Sequence, residues 1–381
     1  MKVAVAIDSF KGSMSSTEAG EAAKDGILRV WDDADVTVCP LADGGEGTVD
    51  ALTRGMRGEF CKVKVFDPLG RRITAEYGIV DPGRTAVIEM SAAAGLTLIG
   101  MEERDPALTT TYGVGEIIKD ALAKGCRNFI IGIGGSATND GGIGMLQALG
   151  FGMLDERGKS VPYGAKGAGC LCSIKSEEAA VELKDSVFRI ACDVKNPLCG
   201  ENGASLIYGP QKGADPEKAS QMDAWLGHYA AMVKRYHPEA DPDYPGSGAA
   251  GGMGFAFRTF LGGTLEPGID IVIEETGIEE IIKAADIVIT GEGRIDRQTA
   301  MGKAPVGIAR IAKKYNKPVI ALAGGLGEGA EECIAKGVDA IFPIVRQPVS
   351  LEEAMEPKNA IKNLSDTAEQ LFRALKTGCE M

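Results

Sequence analysis

Phe129-Ile130-Ile131-Gly132-Ile133-Gly134-Gly135-Ser136-Ala137-Thr138-Asn139-Asp140-Gly141-Gly142 is an apolar run that turns at once into small residues, hydroxyls and a carboxylate. A short apolar run bounded by glycine reads as a buried strand. The glycines after it let backbone N–H groups approach an anion, because no Cβ holds the ligand away. A tight turn in an ordinary α/β core would produce a similar string, and repetition argues for more. Comparable clusters stand at Ala42-Asp43-Gly44-Gly45-Glu46-Gly47, at Gly246-Ser247-Gly248-Ala249-Ala250-Gly251-Gly252 and at Thr290-Gly291-Glu292-Gly293-Arg294-Ile295-Asp296. Four glycine-rich loops, three with carboxylates, point to one cleft for a phosphorylated ligand and a metal.

Outward from this stretch, strand and helix signals alternate at both chain ends. Residues 3–7 predict a strand and 17–31 a helix, with Ser15 or Ser16 as its N-cap. A strand at 36–40 and a helical pattern from 48 to 53 follow. Near the other end, helical patterns at 278–284, 304–315, 328–336 and 360–375 alternate with strands at 286–290, 319–323 and 340–344. Such alternation implies a parallel sheet covered by helices. Between the ends, 60–66, 73–80 and 85–89 read as short strands joined by Asp67-Pro68-Leu69-Gly70 and Asp81-Pro82-Gly83 turns, which suits antiparallel pairing. A helix at 112–123 and the strand at 128–133 come next. The expected fold is therefore α/β and discontinuous. Residues 1–65 with 285–381 form a doubly wound parallel-sheet domain, and 66–284 form an inserted mixed α/β domain.

Bulk properties narrow the function. At 381 residues the chain exceeds the size at which one core keeps growing, so two domains are expected. A net charge of −13 argues against nucleic acid, which is bound by clustered Lys and Arg. No run is long enough to span a membrane, and Val3-Ala4-Val5-Ala6-Ile7 is too short for a signal peptide. Nine cysteines without paired spacing read as reduced thiols of a cytoplasmic protein. Both a monomer and a homodimer are compatible with this composition. Two histidines, His228 and His237, leave little for a Ser-His-Asp mechanism or a zinc site.

In open parallel sheets, ligands sit beyond the carboxyl ends of the strands. Those positions hold Asp8, Asp43, Asp193, Glu292 and Asp296. A lone Asp after a strand commonly caps a turn, but several together suit Mg²⁺, which takes one or two carboxylates with phosphate oxygens. Cations accompany them: Lys11, Lys195, Arg294, Arg297 and Lys303. Phosphoryl transfer needs charge neutralisation, in-line positioning and a group to take the hydroxyl proton. No G-x-x-x-x-G-K-[ST] motif occurs, so a P-loop is excluded. Gly132-x-Gly134-x-x-Ala137 matches a dinucleotide fingerprint, which keeps a nicotinamide-dependent oxidoreductase as a rival. A non-catalytic sugar-acid binding protein is a second rival, although it would need no cluster of strand-end acids and cations.

Taken together, the loops are more specific. Val5-Ala6-Ile7-Asp8-Ser9-Phe10-Lys11-Gly12-Ser13, Pro40-Leu41-Ala42-Asp43-Gly44-Gly45-Glu46-Gly47-Thr48, the 132–142 stretch and Ala191-Cys192-Asp193-Val194-Lys195-Asn196-Pro197-Leu198 resemble the bacterial class I glycerate kinase family. So do Tyr208-Gly209-Pro210-Gln211-Lys212-Gly213-Ala214, the 246–254 segment and Thr290-Gly291-Glu292-Gly293-Arg294-Ile295-Asp296-Arg297-Gln298-Thr299. These segments follow the family's order over essentially the whole chain. The resemblance implies a Rossmann-like domain built from both chain ends, a family-specific α/β domain between them, and ATP-dependent phosphorylation of D-glycerate with Mg²⁺. It implies 2-phosphoglycerate as the main product, with 3-phosphoglycerate as the alternative.

Roles for individual residues are expectations added to that resemblance. Asp193 is the expected general base, with Asp296 its rival. Lys11 or Arg294 would pair the glycerate carboxylate, and Lys303 would meet the nucleotide phosphates at a helix N-terminus. Asp8, Asp43 and Glu292 would hold the metal. Gly134, Gly135, Ser136, Gly246, Ser247 and Gly248 would line the phosphate path.

Overall fold

The computed structural model describes residues 1–379 except Asp43, Glu46, Pro82 and Gly83, with Cys379 described by its backbone alone. Its strands are β1 Lys2–Ile7, β2 Asp35–Val38, β3 Glu59–Phe66, β4 Arg72–Val80, β5 Thr85–Glu89, β6 Asn128–Gly132 and β7 Gly152–Leu154. They continue with β8 Ser173–Lys175, β9 Val187–Ala191, β10 Thr264–Glu266, β11 Ile287–Ile295, β12 Val319–Leu326 and β13 Ala340–Pro343. The chain divides into two compact units, Met1–Asp43 with Ile269–Met381, and Gly44–Gly268. The fold class is α/β with parallel-dominated sheets.

The first unit carries a sheet in the order β13-β12-β11-β1-β2, parallel throughout. Strand order reverses between β1 and β11, the switch point at which doubly wound sheets open a crevice. β1 is buried from Val3 onward, as a strand covered on both faces must be. The helix Ser16–Leu28 starts at Ser15, whose side chain accepts from the Glu18 N–H while Glu18 reaches back to the Ser15 N–H. It buries Ala19, Ala22, Ala23 and Ile27, the i, i+3, i+4 spacing of one apolar face. That face packs on the helix Pro357–Cys379, where Trp31 meets Phe372 edge-on at 5.8 Å. β11 runs past its expected end at residue 290. It stays paired with β12 through Glu292↔Ala323, Arg294↔Gly325 and Ile295↔Leu326, and a Cβ on Gly291 would lie 2.0 Å from the Leu322 carbonyl oxygen. Glycine here serves strand packing, and Glu292 and Arg294 lie inside the strand. The helix expected at 328–336 is a 3-10 helix, Ala330–Lys336.

The second unit carries a sheet in the order β10-β9-β6-β5-β4-β3, in which the first four strands are parallel and the β5-β4-β3 pairings antiparallel. Phe129 of β6 and Phe188 of β9 stack at 4.7 Å in its core. The helix Tyr112–Ala123 falls where the periodicity puts it. Pro216–Val233 and Ala249–Leu261 are further helices, the latter opening through Ala250, Gly251 and Gly252 with φ of 52°, 69° and 99°. The chain crosses between units at 43/44 and 268/269, whereas the pattern of elements puts the crossings at 65/66 and 284/285. Two contacts explain the difference. β3 pairs along its length with β4, and Ile269 packs so closely on Gly307 that a Cβ there would lie 2.7 Å from it.

Candidate functional site

At the switch point of the first unit, β1 ends at Ile7, which is in register with Gly291 of β11. The next residues are Asp8 and Glu292, both buried. The Asp8 N–H donates to the Gly291 carbonyl at 2.9 Å, and Asp8 Oδ1 accepts from the Ser9 N–H at 2.7 Å. Both acids line a cavity of about 610 Å³ together with Lys11, Arg294, Asp296 and Lys303. This is the size of pockets that hold small-molecule ligands. β12, the turn after β13 and the helix Leu351–Met355 supply its apolar walls, among them Leu326, Ile344, Val345 and Met355.

The carboxylates are held in place. Thr299 Oγ1 donates to Glu292 Oε1 and accepts from the Asp296 N–H at 3.1 Å. Asp296 caps the short helix Arg297–Ala300, with Oδ1 accepting from the Gln298 N–H at 2.8 Å, and its Oδ2 lies 3.5 Å from Arg294 Nε. Lys303 is the N-cap residue of the helix Ala304–Lys314. Ser9 Oγ and Ser13 Oγ, on the cavity wall, are buried without a hydrogen-bond partner, as is Thr290 Oγ1 on β11, in register with Ala6 of β1.

Asp43 lies outside the described residues, and among the described residues no group of three or more His, Cys, Asp or Glu side chains is set to hold a metal. Two neighbouring carboxylates and orphaned hydroxyl oxygens are hard donors. They fit a Mg²⁺ ion that takes one or two protein carboxylates and completes its shell with phosphate oxygens and water.

In the second unit the parallel strands β9 and β6 end side by side, with Ala191 in register with Gly132. Asp193 follows β9, and its Oδ1 accepts from the Gly268 N–H at 3.0 Å. Gly134, Gly135 and Ser136 follow β6. The carbonyls of Gly135 and Ala137 accept from Leu96 N–H and Thr109 Oγ1, both at 2.9 Å. Among the described residues, the N–H groups of Gly134, Gly135 and Ser136 meet no acceptor. Three adjacent donors without acceptors are available to an anion. The Gly44-Gly45 turn closes over this loop, since a Cβ on Gly132 would lie 2.3 Å from the Gly44 carbonyl oxygen. The run after β6 does not open a helix. Ser136 bridges to Gly95, and the next helix begins only at Ile143. The geometry of a dinucleotide fingerprint is therefore absent.

The 246–248 loop, expected on the phosphate path, is tied into the fold at Ser247 and Gly248. Its Ser247 is fully buried, with its N–H donating to Tyr244 O at 2.9 Å and its hydroxyl to Asp241 O at 3.0 Å, while the Gly248 N–H donates to Asn196 O at 2.9 Å. These donors are spent within the fold. A Cβ on Gly248 would lie 2.1 Å from Pro197 O, so close backbone packing accounts for the glycine. The segment after it packs directly on the 132–142 stretch, where the Gly141 N–H donates to Gly251 O at 2.9 Å.

Two buried residues, Asp140 within the same stretch and Lys212 against it, receive no individual role from the sequence. Asp140 accepts from Thr111 N–H and Oγ1, both at 2.8 Å, and from the N–H groups of Gly142 and Gly144 at 3.0 and 3.2 Å. Burial raises its carboxyl above the usual range against those bonds. Lys212, from the Tyr208–Ala214 segment that carries part of the family resemblance, is buried against the loop, and burial pushes its ammonium down to about 7.

The family model for the glycerate kinase family matches residues 3–376. A glycerate kinase from Haemophilus influenzae is 46% identical over 98% of this chain and 99% of its own. A glycerate 2-kinase from Escherichia coli K12 is 45% identical over 99% of both chains. A crystal structure from Salmonella typhimurium LT2, designated glycerate kinase 2, superposes with a TM-score of 0.90 at 45% identity over the whole of both chains. The chain is an enzyme and belongs to the glycerate kinase family.

Proposed function

We propose that the enzyme transfers the γ-phosphoryl group of ATP to the 2-hydroxyl of D-glycerate, giving 2-phosphoglycerate and ADP, with Mg²⁺. The observation that carries this reading is the gathering of Asp8, Lys11, Glu292, Arg294, Asp296 and Lys303 around one cavity at the switch point of a parallel sheet. Its charged groups suit a polyphosphate, and its apolar walls of Leu326, Ile344 and Val345 suit a nucleobase. The name of the E. coli relative, glycerate 2-kinase, supports the 2-position.

In this reading Lys303 meets the nucleotide phosphates, and Lys11 or Arg294 pairs the glycerate carboxylate, where an Arg can bind both oxygens. Asp8 and Glu292 hold Mg²⁺, which when bound neutralises charge on the phosphates. The Gly134–Gly135–Ser136 donors receive anionic oxygens. Asp193 accepts the hydroxyl proton as the glycerate oxygen bonds to the γ-phosphorus and the bond to the β–γ bridging oxygen breaks, leaving ADP. Its Gly268 hydrogen bond fixes one carboxylate oxygen and so orients the other. Asp296, which lines the cavity, is the alternative base. The setting proposed for the enzyme is the cytoplasm, where its eight described free cysteines would stay reduced. Product identification with D-glycerate, MgATP and purified enzyme tests the reading. A product other than a phosphoglycerate would overturn it.

A further inference from the structure

Lys212 ends the 3-10 helix Pro210–Lys212, and its side chain is 2% exposed. The ammonium donates to Ser136 Oγ at 2.9 Å and to the Thr138 carbonyl oxygen at 2.6 Å. Both partners are neutral. Asp140 is the titratable group that faces Lys212, and Tyr229, a buried phenol, faces Asp140 in turn. The Asp140 oxygens are already taken by Thr111, Gly142 and Gly144. A buried cation without a direct counter-ion is costly. This one sits behind a loop whose Gly134, Gly135 and Ser136 N–H groups lack acceptors.

We propose that Lys212 is a positioning residue for an anionic substrate oxygen, acting through Ser136. By occupying an acceptor site on Ser136 Oγ, the ammonium turns the Ser136 O–H outward as a donor. By holding the Thr138 carbonyl it fixes the loop that carries those N–H groups. The charge behind the loop strengthens every donor in it toward a phosphoryl or carboxylate group, and a bound anion supplies the missing counter-charge. Burial lowers the Lys212 ammonium to about 7, and the charge of Asp140 works against that shift.

The proposal rests on the glycerate kinase reading, and its test separates the two. Wild type, K212M, S136A and the double variant are compared in steady-state kinetics with D-glycerate and MgATP. Their melting temperatures are also measured with and without inorganic phosphate. The expected result is a rise of about tenfold or more in one substrate's KM for either single variant. A rise confined to D-glycerate assigns the oxygen to its carboxylate, and one confined to ATP assigns it to a phosphate. The double variant is expected to be no worse than K212M, because both changes break one linkage. Phosphate should raise the melting temperature of wild type more than that of either variant. S136A keeps Lys212 in place, so it still reports if K212M does not fold. Unchanged KM values, additive losses, or equal phosphate stabilisation would overturn the role of Lys212. A wild type that leaves D-glycerate and ATP unreacted yet shows the phosphate difference overturns the kinase reading and supports the anion site.

Discussion

Asp8 and Glu292 stand one residue beyond the register pair Ile7↔Gly291, so the two buried carboxylates share one face of neighbouring strands where the sheet order reverses. Buried carboxylates at such a place are the hard oxygen donors that Mg²⁺ takes alongside phosphate oxygens. D8N and E292Q are each expected to lower turnover by about a hundredfold or more, and to raise the Mg²⁺ concentration for half-maximal rate. Magnesium titrations in steady-state assays check this. An unchanged magnesium requirement in both variants would remove the pair from metal binding.

The proton acceptor separates by substitution. D193N is expected to cut kcat by about 10²–10⁴, the usual worth of acid–base catalysis, while KM for D-glycerate moves little. Near-normal turnover in D193N with a collapse in D296N would transfer the role to Asp296.

Packing of the first unit turns on Gly26, where a Cβ would lie 2.1 Å from the Ser365 carbonyl oxygen of the facing helix. G26A is expected to cost about 1–3 kcal/mol of stability. Gly227, on the helix Pro216–Val233, has open space where its Cβ would be. G227A should stabilise by about 0.5–1 kcal/mol. Denaturant unfolding of the two variants measures both signs.

Lys212 couples stability to pH. Its folded value of about 7 lies below the ordinary 10.5 that the unfolded chain recovers. Between these values the unfolded state binds more protons, so stability rises with pH across that window and levels off above it. K212M should lose this slope. Melting temperatures of wild type and K212M from pH 7 to 10.5 report the difference, and parallel curves would contradict it.

Much of the fold was legible because parallel strands buried on both faces are near-continuous apolar runs, as in Val3-Ala4-Val5-Ala6-Ile7. Asp8 at the end of such a run could be placed at the carboxyl end of the sheet from the sequence alone. Glu292 was harder, because Gly291 and Gly293 read as a loop while the backbone stays extended under close packing from β12. Gly248 and Gly251 show the same ambiguity. Backbone packed on backbone demands glycine as strictly as a ligand does. Lys212 was illegible as a site residue, since nothing in Gly-Pro-Gln-Lys-Gly shows that the lysine turns inward beneath a loop some seventy residues earlier in the chain.

The most direct test of the central claim is a phosphorus NMR time course with purified enzyme, D-glycerate and MgATP. A 2-phosphoglycerate resonance growing in step with ADP is the expected result. ATP left intact across a range of enzyme and metal concentrations would contradict the claim.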